Sequence, residues 1–289
     1  TATVTVEDNI NPTAVCQDIT VQLGALGTVS ITANDIDNGS SDNCAIATLV
    51  IDQTSFDCTE VGANTVTLTV TDVNGNVSTC DATVSVQDTV SPTAVCQDIT
   101  VQLDASGNLT ITSVDVDGGS NDNCGIASLE IDNGNTTQDF DCTSIGTNTV
   151  TLTVTDINGN VSTCDATVTV QDTVTPVIVC QNITVELDAN GEATITGVDL
   201  DGGTTDNCGL PVDITFTSDI TDFDCSNVGV NTVVLTATDA NGNVSTCSAD
   251  VTIEDNIDPT ALCQDITVYL DGAGNVSIVA ADVDGGSSD

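Results

Sequence analysis

The chain alternates apolar and polar residues over much of its length. In the segments 99–103, 109–112, 150–155 and 166–171, an apolar residue stands at every second position, with Thr or Gln between. A period of two residues is typical of half-buried β-strands, and the abundant β-branched residues favour the same conformation. Helical spacing of apolar residues is absent from the sequence. The chain is therefore predicted to be all-β.

Turn signals separate these strands at short intervals. In one stretch they are the segments 104–108, 117–122 and 156–160, which are rich in Asp, Asn, Ser and Gly. Such residues favour tight turns because they tolerate unusual backbone angles or hydrogen-bond to their own backbone. About seven short strands within roughly 80 residues predict an Ig-like β-sandwich.

The strand pattern repeats along the chain. The segment that begins at Pro12 recurs unchanged from Pro92 and in altered form from Pro176 and Pro259, at intervals of 80, 84 and 83 residues. A fixed period of this kind indicates a tandem array of modules. We expect modules at 12–91, 92–175 and 176–258. Residues 1–11 then form the last strand of a preceding module, and 259–289 form the first strands of a fourth.

Thirteen cysteines follow the same period, four to a module. There is no Cys-x-x-Cys pair and no His, which argues against zinc and for two disulfides per module in an oxidising compartment. In Ig-like topology the first and last strands start at the same end of the module. This topology predicts the outer bridges Cys16–Cys80, Cys96–Cys164 and Cys180–Cys247. By elimination, the inner bridges are Cys44–Cys58, Cys124–Cys142 and Cys208–Cys225.

The charge of the chain is extreme, with 44 acidic residues and no Lys, Arg or His. Nucleic acids and anionic membrane surfaces require cationic contacts, so both are excluded as partners, and no apolar run is long enough to insert into a membrane. No residue stands ready as a general base or an activated nucleophile, and we expect no enzyme activity. Of the acids 38 are Asp and six are Glu, which favours cation-binding loops over general surface solvation.

The acids concentrate where one module is expected to join the next. Three elements meet there in Ig-like topology: the linker, the loop after the second strand, and the last hairpin. The candidate metal ligands are Glu7, Asp8, Asp35, Asp37, Asp42, Asn43 and Asp72 at the first joint; Asp88, Asp115, Asp117, Asp122, Asn123 and Asp156 at the second; Asp172, Asp199, Asp201, Asp206, Asn207 and Asp239 at the third; and Asp255, Asp282, Asp284 and Asp289 at the fourth.

Oxygen ligands on Gly-bearing loops suit Ca²⁺, which takes six to eight of them, whereas Mg²⁺ retains more water. A solvated turn explains one such loop, but the recurrence of three Asp residues in four copies favours calcium. The Asp-x-Asn-Gly-Asn hairpins are less decisive because Asn-Gly alone predicts a type I′ turn.

Three motifs together suggest a family. Asp-x-Asn-Gly-Asn-x-x-x-Cys precedes the last strand of each module, and Cys-Gln-Asp-Ile-Thr-Val follows a Val-x-Asp-x-x-x-Pro linker. This arrangement resembles the hyalin-repeat (HYR) family, in particular the cysteine-rich tandem copies of large secreted surface proteins of Bacteroidota. The resemblance spans the whole chain. It implies an Ig-like fold, an extracellular or cell-surface location, and an adhesive or scaffolding role.

Two functions compete at this point: a structural fibre, filament or stalk, and an adhesive array that binds carbohydrates or cell surfaces. Near-identical modules with clamped joints favour stiffness and reach. An adhesin is expected to expose aromatic residues or to contain a divergent module, and Tyr269 is the one Tyr in the chain. The sequence thus predicts a calcium-stabilised, rod-like structural array. Its expected partners are further modules of the same chain or further copies in a filament, and glycans are an alternative.

Overall fold

The structure, a computed structural model, describes residues 1–132, 134–209 and 213–288. Within them, helix is confined to two single-turn α-helices, Ala33–Ile36 (α1) and Ala280–Val283 (α2), and to short 3₁₀ turns. Residues 1–102 and 108–171 form one compact unit, and residues 103–107 and 172–289 form a second. The fold is all-β and Ig-like, as the alternating pattern predicts.

The first repeat contains two sheets. Its strands are β1 (Ile19–Gln22), β2 (Thr28–Ser30), β3 (Ile46–Ile51), β4 (Ser55–Asp57), β5 (Gly62–Asp72) and β6 (Val77–Gln87). One sheet has the order β1-β6-β5-β3, and the other pairs β2 with β4. The first strand runs parallel to the last, with Ile19 opposite Val84, whereas the other neighbours are antiparallel. Two small sheets with this pairing form the two layers of an Ig-like sandwich.

The same topology returns twice. The next strands are β7 (Ile99–Gln102), β8 (Asn108–Thr112), β9 (Ile126–Ile131), β10 (Thr137–Asp141), β11 (Gly146–Asp156) and β12 (Val161–Gln171). The last are β13 (Ile183–Glu186), β14 (Glu192–Thr194), β15 (Thr215–Ser218), β16 (Asp222–Asp224), β17 (Gly229–Thr238) and β18 (Val244–Glu254). Their four-stranded sheets have the orders β7-β12-β11-β9 and β13-β18-β17-β15, and β8–β10 and β14–β16 form the smaller sheets.

The start of each repeat is divided into two parts in the structure, as residues 93–102 of the second repeat show. Thr93 and Cys96 form isolated bridges to Asn121 and Asp117, in the loop that precedes β9. Only Ile99–Gln102 then pairs with β12. The described part of each repeat therefore has six strands. The first residues of the repeat pair with a loop and do not join a sheet.

The long strand β5 shows how the core positions a carboxylate. Val66, Leu68 and Val70 are fully buried, and the Thr residues between them lie on the other face. The next inward-facing position is Asp72, which is only 2 % exposed. Because side chains alternate across a strand, the row of core residues ends in an acid. The same rows in β11 and β17 lead to Asp156 and Asp239, which are also buried.

The three predicted outer disulfides are present. Cys16–Cys80 and Cys96–Cys164 each have a Cα–Cα distance of 5.9 Å, and Cys180–Cys247 has one of 6.1 Å. Each joins the segment before the first strand of a repeat to its last strand. This linkage follows from the parallel pairing of those two strands.

The predicted inner disulfides are wrong. Cys58 is bonded to Cys124 of the following repeat, with a Cα–Cα distance of 5.3 Å, and Cys44 and Cys225 are free. These findings exclude Cys44–Cys58, Cys124–Cys142 and Cys208–Cys225.

The position of the cysteines in the first repeat explains the error. Cys58 lies against the β1–β2 hairpin, where its Sγ contacts the carbonyl oxygen of Gly27. Cys44 lies beside the linker residue Asp8, where the chain enters the repeat. A disulfide needs Cα atoms within about 7 Å, and Cys58 meets this condition with Cys124 of the next repeat and not with Cys44.

Candidate metal centres

Three groups of acidic or thiol side chains bring ligand atoms within 4.8 Å of one another in the described part of the chain. We name them after their linker residue. The Asp88 cluster contains Asp88, Asp122 and Asp156; the Asp172 cluster contains Asp172, Asp206 and Asp239; and the Asp8 cluster contains Asp8, Asp42 and Cys44. Each combines a linker acid with the acid that precedes an Asn-Cys pair.

Asp156 is the most enclosed member of the Asp88 cluster, at 1 % exposure. It ends β11, and its Oδ1 accepts hydrogen bonds from the backbone amides of Asn158 and Asn160, both at 2.8 Å. Its Oδ2 accepts the side-chain amide of Asn160, also at 2.8 Å. The Asn-Gly hairpin thus wraps around the carboxylate and holds it in one orientation.

Asp88 enters the cluster from the linker after β6 and is 7 % exposed. Asn160 Nδ2 donates to the backbone oxygens of Asp88 and Val90, each at 3.3 Å, which ties the linker to the hairpin. Asp88 Oδ1 accepts from Val90 N at 3.1 Å and from Asn123 Nδ2 at 3.3 Å. Its other oxygen, Oδ2, is buried without a hydrogen-bond partner.

Asp122 completes the cluster from the loop between β8 and β9. Its Oδ2 accepts from Cys124 N at 2.8 Å, whereas its Oδ1 is buried and has no partner. The side-chain oxygens of Asn123 and Asn158 are also buried and unpaired. Buried oxygens without a donor are costly in a folded protein, and here several border the same cluster.

The Asp172 cluster repeats this arrangement. Asp239 Oδ1 accepts from Asn241 N at 2.9 Å and Asn243 N at 2.8 Å, and Asn243 Nδ2 donates to Asp239 Oδ2 at 2.8 Å and to the backbone oxygen of Asp172 at 3.2 Å. Asp172 Oδ2 and Asp206 Oδ1 are buried without a partner. Burial raises the pKa of Asp206, and the negative charges of Asp172 and Asp239 raise it further.

The Asp8 cluster differs because it contains the thiol of Cys44. Asp8 accepts from Ile10 N at 3.1 Å and from Asn43 Nδ2 at 3.2 Å, and Asp42 Oδ1 is buried without a partner. A hydrogen bond from Cys44 lowers the pKa of Asp8, and the same bond raises the pKa of Cys44. Sequence reasoning did not include Cys44 among the ligands. The adjacency of Asp42, Asn43 and Cys44 was the available signal.

The first two acids of each predicted loop lie in none of the clusters. Each accepts hydrogen bonds from the loop around it and therefore shapes that loop. In the first three loops the third acid (Asp42, Asp122 or Asp206) lies in a cluster. Asp35, Asp115 and Asp199 accept from the backbone amide and hydroxyl of a Thr three residues earlier, and Asp282 accepts from Val279 N. Asp37, Asp117, Asp201 and Asp284 accept from backbone amides two or three residues later.

These hydrogen bonds change the acidity of the loop carboxylates. They lower the pKa of Asp35, Asp37, Asp115, Asp199 and Asp284. In Asp117 and Asp201 burial is the largest single influence and raises the pKa, but the hydrogen bonds together outweigh it, so that the pKa is lowered there too.

The remaining candidates have varied positions. Asn43, Asn123 and Asn207 donate their side-chain amides to the linker acids Asp8, Asp88 and Asp172. Asp72 is buried and accepts from Asn76 Nδ2 at 2.7 Å. Asp255 accepts from Ile257 N, and Glu7 lies in none of the clusters. Asp289 lies outside the described residues.

The geometry of the Asp88 and Asp172 clusters fits a hard cation. Ca²⁺ binds oxygen at about 2.3–2.6 Å, so two oxygens on one ion lie at most about 5 Å apart. The separation of 4.8 Å or less within each cluster meets this limit. The donors are carboxylate and amide oxygens, and the chain has no His. The clusters therefore have the composition and spacing of an oxygen-only metal centre.

Comparison with known proteins finds similar structures but no similar sequences. No protein-family model and no curated protein sequence matches the chain. Among solved structures, the I-band fragment I67–I69 of titin is 11 % identical, covers 85 % of this chain and 97 % of its own, and has a TM-score of 0.40. The extracellular domain of protocadherin gamma B4 is 15 % identical, with 94 % and 53 % coverage and a TM-score of 0.36. The chain spans about half of that protocadherin. At these scores neither likeness carries an argument about function.

No helix within the described residues has both the length and the apolar character needed to cross a bilayer.

Proposed function

We propose that the chain is part of an extracellular structural array of hyalin-repeat-like modules, a fibre, filament or stalk, in which Ca²⁺ binds where the linker enters a repeat. The observation that carries this proposal is the recurrence of the Asp88 cluster as the Asp172 cluster, with unpaired buried carboxylate oxygens in both. Disulfide bonds support an oxidising, extracellular location.

Electrostatics favours a bound cation at these positions. Two carboxylates about 4 Å apart repel by roughly 4 kcal/mol at an effective dielectric constant of about 20. The Asp88 and Asp172 clusters each contain three such acids, and the chain has no Lys, Arg or His to neutralise them. A divalent cation converts this repulsion into attraction and supplies a partner for the unpaired oxygens. The linker and the repeat are then held together by shared ligands.

Calcium is favoured over other metals by the donor set. The Asp88 cluster offers three carboxylates, and the unpaired oxygens of Asn123 and Asn158 border it. This number of protein oxygens suits the six to eight ligands of Ca²⁺ better than Mg²⁺, which keeps several waters. Zinc prefers nitrogen and sulfur ligands, whereas the Asp88 and Asp172 clusters offer carboxylates.

A structural role is favoured over adhesion by the near-identity of the repeats. The strand orders and the acidic cluster recur, and the chain has only four Phe and one Tyr, of which Tyr269 is exposed. Carbohydrate binding commonly uses aromatic faces, whereas an array of equal modules that contact only their neighbours suits a load-bearing element.

Calcium titration of the full chain tests the proposal. Equilibrium dialysis with radioactive Ca²⁺ compares the wild-type chain with the Asp122→Asn/Asp206→Asn variant, which removes one carboxylate from each cluster. Asp115→Asn/Asp199→Asn is the matched control, because it makes the same charge change in the same loops outside the clusters. We expect the cluster variant to lose about two bound ions or to bind them at least tenfold more weakly, a difference of about 1.4 kcal/mol per site.

The control variant should retain the wild-type stoichiometry and affinity. Equal losses of bound Ca²⁺ in both variants would show that Ca²⁺ binding depends only on the net charge of the chain and not on the clusters. If the wild-type chain bound no Ca²⁺ at millimolar concentration, the proposed calcium centres would be excluded.

A further inference from the structure

Three consecutive residues in the loop before β9 are attached in three different ways. Asp122 belongs to the Asp88 cluster, and Cys124 is bonded to Cys58 of the first repeat. Between them, Asn123 donates its side-chain amide to Asp88 Oδ1 at 3.3 Å. The candidate metal centre and the bond between the two repeats therefore share one short segment, the 122–124 loop.

The bonded cysteine orients a carboxylate of the cluster. The backbone amide of Cys124 donates to Asp122 Oδ2 at 2.8 Å. Asp122 Oδ1 is buried without a hydrogen-bond partner, and so is Asp88 Oδ2 in the linker. A shift of Cys124 therefore moves Asp122 as well, and it changes the spacing of the two oxygens that are left for a cation.

The first repeat leaves Cys58 little room to move. Its Sγ lies 3.6 Å from the carbonyl oxygen of Gly27 and 3.4 Å from the backbone oxygen of Asn123. A Cβ atom on Gly27 would lie 2.8 Å from that sulfur and from the same oxygen of Asn123. Asn123 also donates to the carbonyl oxygen of Gly24 in this hairpin, at 3.3 Å. The β1–β2 hairpin thus packs closely against both Cys58 and the 122–124 loop.

Reduction of the Cys58–Cys124 bond disturbs this fit. Two unbonded sulfur atoms repel at the length of a covalent bond, and they need the separation of ordinary non-bonded atoms, about 3.5–4.0 Å. Because the hairpin packs closely against Cys58, the displacement falls mainly on Cys124. The 122–124 loop then shifts relative to the linker acid Asp88.

The same connections recur in the second unit. Cys208 N donates to Asp206 Oδ2 at 3.0 Å. Asn207 Nδ2 donates to Asp172 Oδ1 at 3.1 Å and to the carbonyl oxygen of the hairpin residue Asp104 at 3.2 Å. The link from hairpin to loop to metal centre is therefore a property of the repeat.

We propose that the Cys58–Cys124 bond regulates the Asp88 centre. The closed bond holds the 122–124 loop where its oxygens and those of Asp88 bind one Ca²⁺ ion, and reduction releases the loop and weakens that binding. Linkage requires the reverse effect, so Ca²⁺ makes the bond harder to reduce by the same factor. The proposal rests on the calcium centres proposed above and names the regulation of one of them.

The chemistry requires a reductant, for which we name a dithiol such as dithiothreitol. One thiolate of the dithiol attacks a sulfur of the Cys58–Cys124 bond, forms a mixed disulfide and releases the other cysteine as a thiolate. The second thiolate of the dithiol then closes a cyclic disulfide and releases the remaining cysteine. The protein bond gains two electrons, the dithiol loses two, and the two protons of the dithiol pass to the two cysteine thiolates.

Calcium affinity with and without the bond tests the proposal. The chain Asp42→Asn/Asp206→Asn loses a carboxylate from each of the other two clusters, which isolates the Asp88 centre. Equilibrium dialysis with radioactive Ca²⁺ compares this chain with the same chain carrying Cys58→Ser/Cys124→Ser. The matched control is Asp42→Asn/Asp122→Asn, which isolates the Asp172 centre, with and without the same pair of serines.

We expect the serine pair to raise the Kd of the Asp88 centre at least about tenfold, within the usual range of coupling between two sites. The Kd of the Asp172 centre should not change, because its ligands lie outside the 122–124 loop. Equal Kd values with and without the bond, or equal weakening of both centres, would contradict the regulation but not the calcium centres. If the isolated Asp88 centre bound no Ca²⁺, both proposals would be wrong.

A second measurement needs no cysteine substitution and therefore holds even where the serine variants do not fold. The chain is equilibrated with graded concentrations of dithiothreitol, in saturating Ca²⁺ or in chelator, and its free thiols are alkylated. Mass spectrometry of the peptides that contain Cys58 and Cys124 gives the reduced fraction of this bond alone. We expect saturating Ca²⁺ to raise the dithiothreitol concentration at half-reduction at least about tenfold in the wild-type chain.

Two variants serve as controls for the reduction measurement. Asp122→Asn should abolish the effect of Ca²⁺, because it removes a carboxylate of the cluster. Asp115→Asn makes the same charge change in the same loop outside the cluster, and it should behave as the wild-type chain does. A half-reduction concentration that is the same with and without Ca²⁺ in the wild-type chain would overturn the proposal.

Discussion

Cys58 and Cys124 are bonded across a sequence separation of 66 residues, and they belong to different repeats. Cys124 also donates its backbone amide to Asp122, a member of the Asp88 cluster. The covalent bond and the candidate metal centre therefore hold the same loop against the end of the first repeat. Removal of either one leaves the other in place.

The first prediction concerns this redundancy. If Ca²⁺ alone held the joint, its chelation would loosen the joint, but the Cys58–Cys124 bond also tethers it. We expect chelation to change the wild-type joint little and to loosen it strongly in Cys58→Ser/Cys124→Ser. Hydrogen exchange at Val90 N, which donates to Asp88 Oδ1, reports the joint directly. Cys263→Ser is the control because that cysteine is already free. Fast exchange at Val90 in chelated wild-type chain would show that the disulfide does not secure the joint.

The second prediction concerns the outer bridges. Cys96–Cys164 closes a loop with a sequence separation of 68 residues. A cross-link over that length lowers the entropy of the unfolded chain, and its loss costs about 4 kcal/mol. Urea unfolding of Cys96→Ser/Cys164→Ser should show this decrease in the second repeat. A loss below about 1 kcal/mol would mean that the unfolded chain is already restricted by other contacts.

The third prediction concerns pH. The backbone amide and hydroxyl of Thr112 donate to Asp115 Oδ2 at 2.7 and 2.8 Å, and these bonds lower the pKa of Asp115. A lowered pKa in the folded state gives stability that is complete above the unfolded value of about 3.9 and is lost as the pH falls through the folded value. Asp115→Asn should therefore be less stable than wild type at neutral pH.

The difference should shrink in thermal unfolding experiments as the pH is lowered from about 5 towards 2, since the wild-type carboxylate is then protonated. Asp258→Asn, at an exposed position, is the control for net charge. A difference that stays constant with pH would mean that the Asp115→Asn substitution costs packing and not a charge-dependent hydrogen bond.

The strands could be predicted from the sequence because the alternation of apolar and polar residues is a local property. The same alternation leads to a buried acid at or just after the end of β5, β11 and β17. The period that buries Val66, Leu68 and Val70 continues to Asp72 without interruption. The outer disulfides follow from the topology in the same way. The sequence does not distinguish a cysteine that bonds within its own repeat from one that bonds to the next, because every repeat has similar spacing. Cys58 therefore could not be assigned correctly.

The sequence also does not distinguish loop acids that shape the loop from loop acids that enter a cluster. Asp115 and Asp122 lie seven positions apart in one loop and have the same side chain, yet the first caps Thr112 and the second enters the cluster. Capping depends on a hydroxyl or amide three residues away, whereas clustering depends on the linker and hairpin that fold against the loop. The Thr at position 112 was a usable signal for the cap.

The last prediction concerns Gly27, which lies at the second joint, between the first and second repeats. Gly27 has a φ of 69°, and an added Cβ would lie 2.8 Å from Cys58 Sγ and from the backbone oxygen of Asn123. Gly75 also has a positive φ, 94°, but an added Cβ would meet no atom within 4 Å. Both Gly→Ala variants therefore strain the backbone, and only Gly27→Ala also forces two repeats apart. We expect Gly27→Ala to be less stable than Gly75→Ala by about 1–3 kcal/mol in urea unfolding, the usual cost of overpacking. It should also slow formation of the Cys58–Cys124 bond during oxidative refolding. Equal losses in the two variants would mean that the second joint can open enough to accept a methyl group.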